Sequence, residues 1–208
     1  NSFRDVNIAF ANELSMICDR QDMDVWELIR LSNRHPRVNI LQPGPGVGGH
    51  CIAVDPWFIV ASAPAEAKLI AMARAVNDAK PGWVLEKVRA GIGAHLSEHP
   101  VRCARDVTVA VYGLAFKPDI DDLRESPALD IARTLVADHP GPVEIVEPNI
   151  RALPNGLEAA RLVPLEAVSA DVHVMLVDHT AFRKWAAPDG ILVDTRGVWF
   201  QGGARQAN

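Results

Sequence analysis

Val107-Thr-Val-Ala-Val-Tyr112, followed by Gly113-Leu-Ala-Phe-Lys-Pro118, decides the fold class of this chain. The first six residues are apolar or β-branched throughout, which is typical of a strand buried on both faces. The strand pattern returns at 143–146, 172–177 and 191–193, and helices are predicted between the runs at 126–137 and about 165–170. Strands that alternate with helices indicate βαβ units and an open, parallel α/β sheet.

Polar side chains follow the predicted strands directly. Ligands of open α/β sheets bind at the carboxyl ends of the strands, so that edge is the expected ligand crevice. Four charged residues fall there: Lys117, Glu147, Asp178 and Arg196.

The first hundred residues have a different, helical character. Apolar residues repeat at helical spacing to give one stripe on the opening helix, at Phe3, Val6, Phe10, Leu14 and Ile17. Asp24 and Glu27 resemble a capping box that begins a short helix. Two longer helices are predicted at 66–79 and 81–95, divided by Lys80-Pro81-Gly82. The sequence therefore predicts an all-helical unit over 1–104 and an α/β unit over 105–208, with a frayed tail from Gln201.

Composition excludes several classes of protein. The chain has 208 residues, 49% of them hydrophobic, and a net charge of −5 with scattered lysines and arginines, which argues against nucleic acid as a partner. No apolar run approaches the ~20 residues that cross a bilayer, and no signal-peptide pattern opens the chain. Three cysteines without a CxxC pair favour a reducing cytoplasm and argue against a metal site.

The candidate for chemistry is Gln42-Pro-Gly-Pro-Gly-Val-Gly-Gly-His-Cys-Ile-Ala-Val-Asp-Pro56. Its glycines let the backbone approach a ligand closely, and they leave Cys51 at the end of a shaped loop. A thiolate nucleophile needs a polar setting and a base or water-activating group, and His50 and Asp55 lie nearby in sequence. The alternative is a surface turn followed by a buried structural cysteine.

Two further segments have competing interpretations. Phe116-Lys-Pro-Asp-Ile-Asp-Asp-Leu-Arg-Glu-Ser-Pro127 is either a ligand-binding loop after the first strand or a solvated, charged loop; its aspartates lack the spacing of an EF-hand. Gly44-Pro-Gly-Val-Gly-Gly49 matches GxGxxG, but it follows no strand and opens no strong helix. It therefore fails as a dinucleotide fingerprint.

Three segments in the same order resemble the UDP-glucose/GDP-mannose dehydrogenase family. They are Asn1-Ser-Phe-Arg-Asp-Val-Asn-Ile-Ala-Phe-Ala-Asn-Glu13, Gly46-Val-Gly-Gly-His-Cys-Ile-Ala-Val-Asp55 and the charged loop 116–127. The resemblance extends to about Trp199. It implies a central helical dimerisation domain over 1–104 and a nucleotide-sugar-binding domain over 105–208.

The resemblance also implies an activity and a set of site residues. The reaction is a four-electron oxidation of the C6 alcohol of a UDP-sugar to a carboxylate, with NAD used twice. Cys51 forms a thiohemiacetal and then a thioester, and Asp55 and Asn1 assist its hydrolysis. Substrate-binding positions are Lys117, Gly48, Gly49 and, across a dimer interface, Arg37; Arg124 lies near the cofactor or the subunit contact.

Members of this family carry an N-terminal Rossmann domain for NAD, and this sequence has no matching fingerprint. We therefore expect the chain to be the C-terminal portion of such an enzyme. The alternative is a UDP-sugar-binding and dimerisation module without redox activity of its own. A third interpretation, cysteine-dependent acyl transfer, needs a Cys–His pair, but sequence neighbours such as His50 and Cys51 usually point apart.

Overall fold

A computed structural model describes residues 1–199, and its centre is a five-stranded parallel sheet. The strands are β1 (Val109–Tyr112), β2 (Val143–Val146), β3 (Arg161–Leu162), β4 (Val172–Met175) and β5 (Ile191–Asp194), in the order β3-β2-β1-β4-β5. In the centre, Val109 of β1 pairs with Val143 on one side and Val172 on the other. The predicted α/β class with a parallel sheet is therefore confirmed.

Six helices accompany the sheet in the described range: α1 (Ser2–Arg20), α2 (Val25–Ser32), α3 (Asp55–Ser62), α4 (Lys68–Glu98), α5 (Pro127–Asp138) and α6 (Thr180–Arg183). Two of the starts have side-chain caps that the sequence suggests. Asp24 accepts hydrogen bonds from the backbone N–H groups of Trp26 and Glu27, and Ser126 caps α5 at Leu129. None of these helices is long and apolar enough to cross a membrane.

Helix α4 joins the helical part of the chain to the sheet. Its first half packs against α1, and the ion pairs Arg74–Asp5 and Lys87–Asp19 show that the two helices run parallel. Its second half places Val84, Leu85 and Val88 in the core beneath the sheet, beside α5. The division of the chain at residue 104 stays a prediction.

The prediction of two helices separated at Lys80-Pro81-Gly82 is wrong, because α4 runs unbroken through Pro81. An internal proline costs a helix about 3 kcal/mol. Burial of the apolar side chains that follow Pro81 offsets this, at about 1.5–3 kcal/mol for each large one.

Two smaller differences from the predictions, at 165–170 and at β3, have local causes. The helix predicted at 165–170 is a single 3₁₀ turn, Leu165–Ala167, and the two-residue strand β3 is too short to leave a pattern. The apolar stripe of α1 does not face α4. The buried face of this helix carries Asp5, Ala9 and Asn12, whereas Phe3 is 83% exposed. The frayed tail predicted from Gln201 lies outside the described residues.

Candidate functional site

The glycine loop lies between α2 and α3 and is fixed at its start by two hydrogen bonds. The guanidinium of Arg196, after β5, donates to the carbonyl of Pro43 over 3.2 Å, and the N–H of Gly44 donates to Oδ1 of Asn12, on α1, over 2.9 Å. Pro43 and Gly44 are both buried. The loop therefore begins clamped between the helical part of the chain and the carboxyl edge of the sheet.

The middle of the glycine loop docks on the charged loop that follows β1. The N–H of Gly49 donates to the carbonyl of Glu125 over 3.3 Å, and Gly49 adopts a left-handed φ of 84°. A Cβ on Gly48 would lie 2.2 Å from that same carbonyl oxygen, and one on Gly49 would lie 3.2 Å from the ring of Phe116. Close approach between two segments of this protein thus explains both glycines without a ligand.

Cys51 lies just beyond this contact with an exposed side chain, so the alternative of a buried structural cysteine is wrong. It begins a turn in which its carbonyl accepts a hydrogen bond from the N–H of Asp55 over 2.8 Å. Asp55 is the first residue of α3, and its carboxylate accepts a hydrogen bond from the side-chain amide of Asn1. The structure therefore brings together the three residues predicted for catalysis.

Lys117 lies at the carboxyl end of β1, where it was expected, with its ammonium group exposed and 5.6 Å from the centre of the Phe116 ring. The segment around it is anchored by a buried carboxylate that was not singled out for a role. Oε2 of Glu147 accepts hydrogen bonds from the N–H of Leu114 over 2.7 Å and from Nε2 of His179 over 3.0 Å.

The other ring nitrogen of His179 completes this anchor. Nδ1 accepts a hydrogen bond from the N–H of Asp119 over 2.9 Å, while Nε2 carries the proton that is donated to Glu147. Burial raises the pKa of Glu147, but the hydrogen bonds from His179 and from the amides of Leu114 and Asn149 outweigh it, and the net pKa lies below the ordinary value. Lys117 thus projects from a segment fixed on both sides of it.

Arg124 and Arg37 have different surroundings. The guanidinium of Arg124 binds Asp122 through two hydrogen bonds, of 2.9 and 2.6 Å, which hold the pKa of that carboxyl well below its usual range. Most of the Arg124 side chain is exposed. Arg37 is also exposed, in the segment between α2 and the glycine loop, and no hydrogen bond or ion pair among residues 1–199 joins it to Cys51.

A cleft of about 310 Å³ beside the start of the glycine loop contains two guanidinium groups. Asp178 accepts hydrogen bonds from Arg196 over 2.8 Å and from Arg183 over 2.6 Å, and Trp26 and Gln42 complete much of the wall. Two arginines to one aspartate leave the cleft with an excess positive charge. Arg196 and Asp178 were placed at the carboxyl edge from the sequence, but their contact with the glycine loop was not foreseen.

Two models of one family match most of the chain. Residues 1–79 match the central domain of the UDP-glucose/GDP-mannose dehydrogenase family, and residues 110–201 match its UDP binding domain. The matches place the Cys51 loop in the first model and the sheet with its carboxyl edge in the second.

Curated relatives carry dehydrogenase names. The UDP-N-acetyl-D-mannosamine dehydrogenase of Salmonella typhi is 60% identical over 205 residues, which are 96% of this chain and 49% of that protein. The NDP-N-acetyl-D-galactosaminuronic acid dehydrogenase of Ralstonia solanacearum is 56% identical over 204 residues, 96% of this chain and 46% of that protein. The chain thus spans about half the length of the curated relatives it matches.

Solved structures share the fold over nearly the whole chain. The UDP-N-acetyl-mannosamine dehydrogenase Cap5O from S. aureus has a TM-score of 0.79 and 38% identity, over 97% of this chain and 47% of that one. The UDP-D-ManNAc dehydrogenase from Pyrococcus horikoshii has a TM-score of 0.75 and 31% identity, over 95% and 46%. With two family models matched in order and these similarities along its length, this chain belongs to the UDP-glucose/GDP-mannose dehydrogenase family.

Proposed function

We propose that this chain is the C-terminal portion of an NAD-dependent UDP-N-acetyl-D-mannosamine 6-dehydrogenase, which oxidises the sugar C6 alcohol to a carboxylate and yields UDP-N-acetylmannosaminuronate. The observation that carries the proposal is an exposed Cys51 in a turn that ends at Asp55, whose carboxylate is held by Asn1. The amino-acid sequences of the opening helix, of residues 33–43 and of the cysteine loop favour the UDP-N-acetyl-D-mannosamine dehydrogenases within the family. The names of the relatives support the same choice.

Cys51 supplies the covalent part of this mechanism. After the first two-electron oxidation of the alcohol, its sulfur adds to the C6 aldehyde and forms a thiohemiacetal. Loss of a second hydride and a proton from that adduct leaves a thioester on Cys51. A covalent intermediate of this kind divides a difficult oxidation into easier steps.

Asp55 and Asn1 serve the hydrolysis that releases the product. Water adds to the thioester carbonyl, the C–S bond breaks, and the carboxylate product leaves as the Cys51 thiol is restored. We assign Asp55 the role of orienting or deprotonating that water, and this is supported by the amide of Asn1, which fixes the carboxylate by donating to one of its oxygens. A side chain that both accepts a proton and is held by a hydrogen bond suits this role.

NAD is the proposed oxidant, and when bound it accepts one hydride in each of the two oxidations. The described residues do not fit a complete dinucleotide site: Gly44-Pro-Gly-Val-Gly-Gly49 follows no strand and is packed on the loop 116–127. Arg124, with its guanidinium partly bound to Asp122, remains the proposed point of approach to the cofactor. We therefore assign the main NAD contacts to residues other than those described.

The substrate side of the proposal rests on charge at the carboxyl edge of the sheet. Lys117 is exposed there, and the cleft of Arg183, Arg196 and Asp178 has an excess positive charge that suits a diphosphate. We propose that Lys117 contacts the UDP-sugar and that backbone groups of Gly48 and Gly49 line the same site. Arg37 is proposed to reach the site of a partner subunit, because it is exposed and no hydrogen bond or ion pair in the described part of the chain joins it to Cys51.

We further propose a homodimer formed through the exposed apolar stripe of α1. Phe3, Phe10 and Ile17 are spaced seven residues apart on this helix, and each is at least 43% exposed. Leu69 and Met72, at the start of the adjacent α4, are exposed as well. An apolar surface of this kind is typical of a subunit interface. Use of NAD and a nucleotide sugar favours the cytoplasm as the location.

The alternative function is a UDP-sugar-binding and dimerisation module that does no redox chemistry by itself. The lack of fit between the described residues and a dinucleotide is the observation that favours it. Both functions require UDP-sugar binding, but only the first requires transfer of hydride to NAD.

Differential alkylation tests the shared part of the two functions. Cys51 is expected to react with iodoacetamide faster than the buried Cys18 and the exposed Cys103, and UDP-N-acetylmannosamine is expected to slow Cys51 alone. UDP-N-acetylgalactosamine is the matched ligand that tests the choice of sugar. Equal rates at Cys51 and Cys103 without ligand protection would contradict both functions.

The native protein from its source cells distinguishes the two functions. We expect an intact mass well above that of the 208-residue chain, an NAD-binding segment before Asn1, and two NADH formed per UDP-N-acetylmannosamine. A native species of 208 residues that binds the sugar nucleotide but forms no NADH would favour the binding module.

A further inference from the structure

We infer that Asn12 is a positioning residue for the Cys51 loop: through a relay of buried amides, it fixes the loop on helix α1. The inference rests on the proposed function, because it assigns Asn12 a role in holding the reactive cysteine. Asn12 is fully buried on α1, and it carries the acceptor that receives the N–H of Gly44 at the start of the loop.

The relay begins at a charged group and runs through two amides. Asp5 is fully buried, and Oδ1 of its carboxylate accepts a hydrogen bond from Nδ2 of Asn77 over 2.8 Å. Oδ1 of Asn77 in turn accepts from Nδ2 of Asn12 over 2.9 Å. Oδ1 of Asn12 then accepts from the N–H of Gly44 over 2.9 Å.

Two acceptors on Asp5 set the direction of every bond in this relay. Nδ2 of Asn77 donates to the carboxylate of Asp5 over 2.8 Å and to its backbone carbonyl over 3.1 Å. Both groups only accept hydrogen bonds, so Asn77 must turn its NH₂ group toward Asp5 and its oxygen toward Asn12. Asn12 must then point its own NH₂ group at Asn77, which leaves its oxygen for Gly44. An amide turned the other way would set a donor against the N–H of Gly44.

Stability alone does not account for this arrangement. Asp5 forms a buried ion pair with Arg74 over 2.7 Å, yet Oδ2 of Asp5 and Nε of Arg74 are buried without a hydrogen-bond partner among the described residues. Replacing a buried ion pair by well-packed apolar side chains is often neutral or stabilising. The carboxylate of Asp5, together with the backbone carbonyl of the same residue, holds Asn77 and through it Asn12.

Helix α1 holds the cysteine loop at both ends. Asn12 binds Gly44 at the start, and Asn1 binds Asp55 at the end. Asn12 lies eleven positions after Asn1, which corresponds to a rise of about 16 Å along the helix. Because the helix fixes that spacing, Asn12 and Asn1 together set where Cys51 stands relative to Asp55.

Two variants on α1 and a control test the inference in the 208-residue chain. Asn12→Ala removes the bond to Gly44, and Asn12→Asp keeps an acceptor for Gly44 while it loses the donor to Asn77. Asn7→Ala is the control, because Asn7 is an asparagine on the same helix whose side-chain amide donates to the carbonyl of Phe3, within that helix. Amide hydrogen exchange over 44–55 and alkylation of Cys51 are the readouts.

In Asn12→Ala, we expect exchange over 44–55 to be about tenfold faster, the scale of one lost hydrogen bond, while exchange in α5 is unchanged. We expect protection of Cys51 by UDP-N-acetylmannosamine to fall at least threefold. Asn12→Asp should restore part of both effects, and Asn7→Ala should produce neither. Unchanged amide exchange in α5 shows that each variant is folded.

The outcomes separate failure of this inference from failure of the proposed function. Loop exchange in Asn12→Ala equal to that of the unsubstituted chain overturns the positioning role. Faster loop exchange with unchanged protection of Cys51 also overturns it, because the bond then does not serve the site. Absence of protection in the unsubstituted chain contradicts the proposed function, and the exchange data alone then decide whether Asn12 fixes the loop.

Discussion

Gly48 lies directly against the backbone carbonyl of Glu125, so that a Cβ at position 48 would stand 2.2 Å from the oxygen. Glu125 has a left-handed φ of 49°. Gly49, which follows Gly48 in the glycine loop, donates its N–H to the same carbonyl oxygen of Glu125. The loop that carries Cys51 and the loop that carries Lys117 therefore meet backbone to backbone. This contact joins the two proposed halves of the site.

Substitution of Gly48 is expected to separate the two loops. In Gly48→Ala, the new methyl group meets a backbone oxygen and Pro127, neither of which can move as a flexible side chain would. We expect the free energy of unfolding to fall by about 1–3 kcal/mol, the usual cost of overpacking. Urea unfolding measures the change, and faster amide exchange over 44–55 locates it.

Gly82→Ala is the matched control for that experiment. Gly82 lies on the exposed side of α4, and a Cβ there has no neighbour within 4 Å. Since glycine disfavours a helix interior relative to alanine, this variant should gain about 0.5–1 kcal/mol. Equal stability changes in the two variants would show that the Gly48 contact is not tight.

The proposed dimer is testable at the exposed stripe of α1. In Phe10→Glu, a carboxylate replaces an apolar ring that is half-exposed in the single chain. If the stripe is the interface, burial of an unpaired charge should weaken association by at least tenfold. Light scattering after size exclusion, over a concentration series, is expected to show a dimer for the unsubstituted chain and a monomer for the variant.

Val101→Glu provides the control for the dimer experiment. Val101 is an apolar residue that is 97% exposed and lies beyond the end of α4, away from α1. The substitution Val101→Glu therefore removes exposed apolar surface outside the proposed interface. This variant should remain dimeric. A monomer in the unsubstituted chain at high concentration, or a dimer in Phe10→Glu, would refute the proposed interface.

The sheet was predictable because its strands are buried on both faces. Each of β1, β2 and β4 is buried along its whole length, so nearly every position must be apolar and the pattern is visible in a short window. The carboxyl-edge positions of Lys117 and Arg196 then follow from the parallel topology alone. The resemblance added what periodicity does not contain, namely that Asn1 and Asp55 belong beside Cys51.

The remaining features depend on contacts between distant residues. No window around Pro81 shows that residues after it pack beneath the sheet and keep α4 continuous. Likewise, the bonds of Asn12 and Arg196 to the glycine loop join residues 32 and 153 positions apart. A buried asparagine among apolar neighbours on a helix is the sequence signal that points to such a contact, but it does not name the partner.

Lys80 is a buried amine whose titration should appear in the stability of the protein. Its side chain is 1% exposed, Nζ donates to Oγ of Ser15 over 2.6 Å, and the amine lies 3.6 Å from the centre of the Trp83 ring. Burial lowers the pKa of Lys80 from 10.5 to about 7, although Asp19 acts in the opposite direction.

This lowered pKa gives the pH dependence a definite sign. Below pH 7 the amine is protonated in both the folded and the unfolded chain, and the cost of burying the charge is fully present. Between about pH 7 and 10.5 the unfolded chain binds the proton and the folded chain does not, so stability rises with pH, by at most about 1.4 kcal/mol per unit. Lys80→Met should lose this rise and be more stable than the unsubstituted chain at pH 6.

Urea unfolding at pH 6, 7, 8 and 9 gives the free energy of unfolding of Lys80→Met and of the unsubstituted chain. The difference between the two values cancels the contributions of groups that titrate in both proteins. Lys68→Met is the control, since Lys68 is an exposed lysine at the start of the same helix. That variant should follow the unsubstituted chain at every pH. A constant difference between Lys80→Met and the unsubstituted chain from pH 6 to 9 would mean that the buried amine keeps its proton throughout, held by Ser15, Trp83 and Asp19.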